Sequence, residues 1–153
     1  MKFSRKSDIK GFLSRLAARF HRSSGPSLQT SPTFANRKKG DAGELSAYDF
    51  LRSKGYQIVA RKYRRRSGEI DLIGWDGDIL AFIEVKFRAN LEHGRPEEAV
   101  NLRKQQQICR AAKEYRMTHQ LRDINYRFDI VSIQGSGQDR SLRLIKDAFK
   151  EAL

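Results

Sequence analysis

From residue 40 onward, apolar and polar positions fall into two distinct periods. In DAGELSAYDFLRSKGY, Ala42, Leu45, Tyr48 and Leu51 recur at helical spacing, which predicts a helix over residues 41–54 closed by Gly55. YQIVARKYR (56–64), EIDLIGW (69–75) and DILAFIEVKF (78–87) are short, apolar-rich runs that read as strands. Asp76-Gly77 joins the last two and is a favoured two-residue hairpin turn. After the loop FRANLEHGR, the segment PEEAVNLRKQQQICRAAKEYRMT predicts a long helix beginning at Pro96. Glu97 and Glu98 then sit near the positive end of its dipole, and Val100, Ile108, Ala111 and Tyr115 form its buried stripe. INYRFDIVSI (124–133) is a further strand, GSGQ a turn and SLRLI (141–145) a last strand before a terminal helical turn. Helix, three strands, helix and two strands, without internal repeats, predict an α/β fold with a mixed central sheet flanked by helices.

The first 35 residues follow a different pattern. SSGPSLQTSPTF (23–34) is Ser/Pro-rich and reads as a flexible linker. Before it, IKGFLSRLAARF (9–20) spaces Ile9, Phe12, Leu13, Leu16 and Phe20 as a short basic amphipathic segment. Such a segment suits a membrane surface or a partner, and its Arg- and Ser-rich, acid-poor composition also resembles a transit peptide. The reading adopted is a loose, disordered tail (1–35) that helps dock a polyanion, ahead of one folded domain (36–153).

Composition changes this picture mainly through charge. The 153 residues carry 31 Lys/Arg against 18 Asp/Glu, a net +13. Residues 1–39 hold ten Lys/Arg and only Asp8, or +9 of that total, which leaves +4 for residues 40–153. The balance favours nucleic acid or an anionic membrane surface as partner. No run reaches the ~18 apolar residues of a membrane helix, so stable membrane insertion is not expected. A single cysteine, Cys109, cannot form an internal disulfide and fits a reducing, cytoplasmic setting. His21, His93 and His119 show no zinc-ligand spacing.

The candidate chemistry lies in the hairpin GEIDLIGWDGDILAFIEVKFR (68–88). Strand alternation puts Glu69, Asp71 and Ile73 on one face and Ile70 and Leu72 on the other. If Asp76-Gly77 is the turn, Trp75 faces Asp78, Asp71 faces Phe82 and Glu69 faces Glu84. Glu69, Asp71, Glu84 and Lys86 then emerge together at the end away from the turn, with Asp71 and Glu84 diagonal neighbours. Two carboxylates about 5 Å apart repel by roughly 3 kcal/mol at an effective dielectric near 20, and a divalent cation reverses that sign. Oxygen donors with room for water and phosphate suit Mg²⁺ or Mn²⁺, with the Val85 carbonyl as an extra ligand. Lys86 would orient the metal-bound water and offset phosphate charge. The plainer alternative is the wet face of a sheet, with Lys86 merely neutralising Glu84. The D/E-x-K triplet alone carries little weight, because Asp8-Ile9-Lys10 repeats it in the tail.

An Asp on one strand followed by E-x-K on the next, within this element order, resembles the PD-(D/E)XK nuclease fold. The fuller pattern is similar to its YraN-like, endonuclease-related branch, which is akin to archaeal Holliday-junction resolvases. The residues that carry the resemblance are GDAGELSA (40–47), GYQIVARKYR (55–64), GEIDLI (68–73), FIEVKFR (82–88), PEEAV (96–100) with Lys104 beyond, and RFDIV (127–131). It spans roughly residues 36–150. The resemblance implies a restriction-endonuclease-like α-β-β-β-α-β core, with Asp71 and Glu84 as metal-binding carboxylates and Lys86 as the catalytic lysine. It also implies that Glu44 on the first helix joins the same metal site, while Glu69 is either a further carboxylate ligand or a structural partner. Two departures stand out: the long basic extension, and Phe87 where a smaller polar residue is common, its side chain expected on the apolar face. Arg64, Arg65 and Arg66 before the motif strand and Arg88 after it would border the open end and hold phosphates. Lys104 joins these arginines as a candidate nucleic-acid contact; it and Gln107 lie near one face of the long helix and could reach the site, although ordinary exposure is the plainer expectation. Trp75 beside the turn reads as core or rim packing, with a base-stacking platform as the alternative. The expected activity is Mg²⁺- or Mn²⁺-dependent hydrolysis of DNA, branched or junction DNA by family analogy, with a homodimer as the corresponding assembly. The alternative is a non-catalytic nucleic-acid-binding protein on the same scaffold.

Overall fold

The structure, a computed structural model, describes residues 34–88, 100–135 and 139–151. The tail and Pro96, Glu97 and Glu98 lie outside the described residues. Among the described residues two helices and five strands follow in order: α1 (Phe34–Ser53), β1 (Gln57–Arg65), β2 (Gly68–Asp76), β3 (Ile79–Arg88), α2 (Leu102–Thr118), β4 (Tyr126–Gln134) and β5 (Ser141–Phe149). They form one five-stranded sheet in the order β1-β2-β3-β4-β5. Only β3 and β4 pair in parallel; the other neighbours are antiparallel. The α2 crossover is what a parallel neighbour requires. This is the mixed, helix-flanked sheet of a restriction-endonuclease-like core. No helix among the described residues is long and apolar enough to cross a membrane.

The two sheet faces build separate cores. Ile73, Trp75, Leu80, Phe82, Phe128 and Ile130 pack with Ile108, Ala111, Ala112 and Tyr115 of α2. Leu72, Ala81, Ile83, Val131 and Ile133 pack with Ala47 and Leu51 of α1. The middle strands are therefore buried on both faces, which explains their almost continuous apolar runs. Trp75, 2% exposed, belongs to the core as expected. A Cβ on Gly43 of α1 would lie 1.5 Å from the Phe87 ring, so Phe87 packs against that helix on the apolar side of β3. A Cβ on Gly68 would lie 2.5 Å from the Gln107 backbone oxygen, so this glycine lets α2 settle directly on β2.

The ends of several elements differ from expectation for identifiable reasons. Helix α1 begins at Phe34, earlier than residue 41, and closes at Gly55 (φ 90°) as expected. Its close is a Schellman motif, with Tyr56 N donating to Leu51 O at 3.0 Å and Gly55 N to Arg52 O at 3.0 Å. Helix α2 does not run unbroken from Pro96. Asn101 is extended (φ −65°, ψ 161°) and caps the helix, its side chain accepting from Lys104 N at 2.9 Å. The chain past residue 145 stays in β5 to Phe149 instead of turning helical, because it pairs back onto Phe128.

The β2–β3 register is two residues away from the expected one. Asp76 pairs with Ile79, so the loop residues are Gly77 and Asp78. Gly77 takes φ 64° at the first loop position, the place where a type II′ turn needs glycine. Trp75 consequently faces Leu80, and Ile73 faces Phe82. A shift of two preserves which face each side chain takes, but it moves the acidic residues relative to one another.

Candidate functional site

Leu72↔Ile83 is the last backbone pair between β2 and β3. One step on, Asp71 is level with Glu84, and a side-chain bond replaces the ladder: Val85 N donates to Asp71 Oδ2 at 2.7 Å. Beyond that point β2 stays with β1 as far as Arg65↔Gly68, while β3 stays with β4 as far as Arg88↔Gln134. The sheet forks. Asp71 stands at the crotch, with Glu84 and Lys86 on the far prong.

Strict alternation also fails here. Ile70 packs on the α2 side and Leu72 on the α1 side, although they are two residues apart and were expected to share a face. Directly across in β1, between the pairs Arg61↔Leu72 and Tyr63↔Ile70, Lys62 adopts φ 51°. This local twist of the backbone re-aims side chains without changing the pairing, which keeps one register from Ala60↔Ile73 to Arg65↔Gly68; the register shift of this strand pair lies between Ile58 and Ala60. The Asp71 carboxylate thus reaches across to the β3 backbone.

Glu84 is 3% exposed. Its Oε1 faces Lys86 Nζ at 3.0 Å and Lys104 Nζ at 3.4 Å. Its Oε2 is buried and has no hydrogen-bond partner among the described residues. Lys104 also reaches Glu69 Oε1 at 3.3 Å, and Arg64 Nε lies 3.5 Å from Glu69 Oε2. Burial and the Glu84 carboxylate push the Asp71 carboxyl up to about 6, against the bond from Val85 N and the charge of Lys104. Burial opposes the charge on Lys104, yet Glu84, Glu69 and Asp71 outweigh it and hold its ammonium above the ordinary lysine range. The site is thus a buried acid pair with two cations on one side and an open acceptor on the other.

The structure links Asp71, Glu84, Lys86, Glu69 and Lys104 through these contacts. Glu44 on α1 pairs with Lys62 Nζ at 3.4 Å, so it approaches from the β1 side, across from Asp71. Arg64, Arg65 and Arg66 are exposed at the β1–β2 turn, and Arg65 Nε lies 3.6 Å from Glu114 Oε1 of α2. Arg88 ends β3, its side chain outside what is described. Lys104 is not the exposed residue that the plainer expectation allowed; its side chain is 19% exposed and joins two acids.

The metal expected here can be weighed against these donors. Among the described residues, no three His, Cys, Asp or Glu side chains are grouped closely enough to hold an ion by themselves. Two carboxylates remain, and Mg²⁺ typically binds through one or two carboxylates while keeping several waters. The unpartnered Glu84 Oε2 is an oxygen acceptor with nothing else to satisfy it. Hard donors, few in number and partly buried, fit a water-rich divalent cation better than zinc, which favours nitrogen and sulfur.

A second polar cluster was missed from sequence, although RFDIV was among the matched motifs. At the hairpin end of the sheet, Asp129 is fully buried. It accepts from Tyr56 Oη at 2.9 Å, from Arg127 Nε at 2.9 and 3.1 Å, and from Asp147 N at 2.9 Å. Arg127 Nη2 donates to Tyr56 Oη at 2.6 Å and also to Asp76 Oδ2, which Lys146 Nζ reaches at 2.7 Å. The available signal was an Arg and an Asp two apart in an otherwise apolar parallel strand, where charges must find partners.

A forked mixed sheet carrying Asp on one strand and Glu-x-Lys on the next defines the class: an α/β protein with a restriction-endonuclease-like core. Residues 43–133 match the family described as "Uncharacterised protein family UPF0102", and the chain belongs to that family. A UPF0102 protein of Chlorobium limicola is 46% identical over 100 residues, 65% of this chain and 78% of the relative. One of Clostridium tetani is 43% identical over 117 residues, 75% of this chain and 96% of the relative. One of Acetivibrio thermocellus is 41% identical over 119 residues, covering 74% and 92%. The match begins at Gly43, where α1 meets Phe87, and runs through the fork and the Arg127–Asp129 cluster to Ile133.

Proposed function

We propose that this chain is a metal-dependent nuclease that hydrolyses phosphodiester bonds in DNA, with branched or junction DNA as the favoured form and a homodimer as the working assembly. The observation that carries this reading is Glu84: a buried acid with one oxygen unpartnered, beside an Asp71 whose proton affinity it raises. A fold that needed only a sheet edge would place Thr or Val there at no such cost.

Asp71 and Glu84 would hold Mg²⁺ or Mn²⁺, with the Val85 carbonyl beside them and Glu69 and Glu44 at the flanks. The ion supplies Lewis-acid polarisation of the phosphate and a more acidic bound water. Lys86, anchored 3.0 Å from Glu84 Oε1, keeps its ammonium at the fork, where it orients the attacking water and balances charge on the phosphate. Arg64, Arg65 and Arg66, exposed at the mouth, hold phosphates on either side of the scissile bond, and Arg88 extends that contact beyond β3. The basic tail would add further, sequence-independent attraction.

The test is cleavage of linear, nicked and four-way duplex DNA in Mn²⁺ by the full chain, by Glu84→Gln and by Lys86→Met. Loss of at least ~100-fold in both variants, with DNA binding retained, is expected for removal of transition-state stabilisation. Product formation that survives both substitutions refutes the assignment. Salt-sensitive binding by the wild type with no metal-dependent product would favour the non-catalytic nucleic-acid-binding protein, for which the exposed arginines alone suffice.

A further inference from the structure

Lys104 is a cation of the fork that the reaction above does not use. It enters from α2, whereas Lys86 lies on β3 itself. Its place is fixed from two directions. The Asn101 cap holds its backbone N–H in the first turn of α2, and the close approach of Gln107 to Gly68 seats that helix on β2. The side chain has little freedom left. Its ammonium lies 3.3 Å from Glu69 Oε1 and 3.4 Å from Glu84 Oε1.

The local charges make this position informative. Glu69, Asp71 and Glu84 contribute three potential negative charges at the fork, and Lys86 is committed to Glu84. Without a metal, Lys104 is the nearest remaining cation on these acids. A divalent ion on the same carboxylates would face a fixed positive charge across a few ångströms of partly buried space, where screening is weak. The ion and the lysine are both attracted by Glu84 and repelled by each other.

We propose that Lys104 is the resident counter-ion of the acidic fork: it competes with a divalent cation for the Glu84 and Glu69 carboxylates, and a bound cation releases it to take a nucleic-acid phosphate. This rests on the nuclease reading and adds a coupling to it. Binding linkage is reciprocal, so the lysine that weakens cation binding in the free protein no longer does so once a phosphate has drawn the ammonium away, and the bound cation in turn favours that phosphate contact. The chain would then hold its metal tightly only in the presence of nucleic acid, which limits unproductive loading.

Mn²⁺ titration by calorimetry and electron paramagnetic resonance tests this in the full chain, with Lys104→Met, Lys104→Arg and Glu84→Gln beside the wild type. Lys104→Met should bind Mn²⁺ about tenfold more tightly than wild type, and Lys104→Arg should stay within about twofold of it, because only the charge matters. In the second arm, duplex DNA binding is measured by anisotropy in Ca²⁺ and in EDTA. The cation should strengthen wild-type binding several-fold, and Lys104→Met should lose most of that gain. Thermal melts establish that each variant is folded, and Lys104→Gln replaces Lys104→Met if the latter is not. Should Lys104→Met bind Mn²⁺ no more tightly than wild type while Glu84→Gln still abolishes binding, the competition is refuted and the metal site stands. If the wild type shows no Glu84-dependent Mn²⁺ binding, both this proposal and the nuclease reading fall.

Discussion

Asp71→Asn should make the metal-free protein more stable at neutral pH, even though it removes a central residue of the site. Burial and Glu84 move the Asp71 carboxyl from 3.8 to about 6. That separation corresponds to ~3 kcal/mol between protonation states. The sign follows from proton counting. Between those two pH values the unfolded chain has released the proton and the folded chain keeps it, so stability falls as pH rises through the window. Above about 6 the full penalty persists. Asparagine cannot ionise, yet its carbonyl can still accept the bond from Val85 N that Asp71 Oδ2 takes at 2.7 Å. Part of the gain is offset, because Lys104 loses an attractive charge. A net ~1–2 kcal/mol remains, equivalent to ~4–10 °C in melting temperature for a domain of this size. Circular-dichroism melts in EDTA from pH 4 to pH 8 measure it. The two proteins should melt together near pH 4 and diverge by pH 7, with the variant higher. A variant that melts at or below wild type at pH 7.5, or a wild-type curve that rises relative to it between pH 4 and pH 6, refutes the strained acid pair.

Three further outcomes test the surroundings. Gly68→Ala should cost ~2–4 kcal/mol in urea unfolding, because its Cβ would meet the Gln107 backbone oxygen at 2.5 Å at a φ of 152°; an unchanged midpoint would mean that α2 is not seated as described. Arg127→Met should destabilise by ~3–5 kcal/mol, since it leaves the fully buried Asp129 and the Tyr56 hydroxyl without their cation, whereas a loss under ~1 kcal/mol would show the cluster to be dispensable. Arg103, Arg110 and Lys113 are exposed along one side of α2, and Arg110 Nε reaches Ser67 O at 3.4 Å beside the β1–β2 turn. If each contacts one phosphate of a duplex, replacing all three with Gln should reduce the slope of log K against log salt by ~2.7; an unchanged slope places the duplex elsewhere.

What could be read from sequence was set by how locally each feature is determined. Strand and helix identity followed from apolar period, because β2, β3 and β4 fill both cores and α2 buries its expected stripe; α1 instead buries Ala47 and Leu51 and leaves Leu45 of the expected face half exposed. The shared face of Glu84 and Lys86 was legible too, since alternation survives a register error of two; Asp71 joins them through its bond from Val85 N, at the point where alternation in β2 breaks. The error itself arose from the turn: Asp76-Gly77 and Gly77-Asp78 are both plausible two-residue loops that put Gly77 at positive φ, and only the Asp76↔Ile79 pairing separates them. The break in alternation at Asp71 and Lys62 was not legible, because no residue there advertises a change of backbone conformation; Lys62 is an unusual occupant of positive φ. The role of Lys104 depended on the distance between α2 and β2, which Gly68 sets through a contact with Gln107 almost forty residues away. Pro96 drew the helix start too early because proline marks first turns well, whereas the Asn101 cap leaves the weaker signal.

The two charged clusters of this sheet provide an internal comparison. Asp129 is buried in the same scaffold as Glu84, on the neighbouring strand, and the two are paired to strands of the same ladder. Around Asp129 both carboxylate oxygens are bonded, by Arg127, Tyr56 and a backbone amide, and the cluster closes on itself through Asp76 and Lys146. This is how a fold accommodates a buried acid for structural ends: every lone pair is met, and charge is matched within reach. The fork treats its acids otherwise. Glu84 has two ammonium groups on one oxygen and, among the described residues, no hydrogen-bond partner on the other, while Asp71 is left with a raised proton affinity next to it. A chain able to satisfy one buried carboxylate fully has the means to satisfy another. That it leaves the second acid incomplete, at the point where β2 and β3 part and arginines stand exposed, argues that the missing partner is supplied from outside the chain.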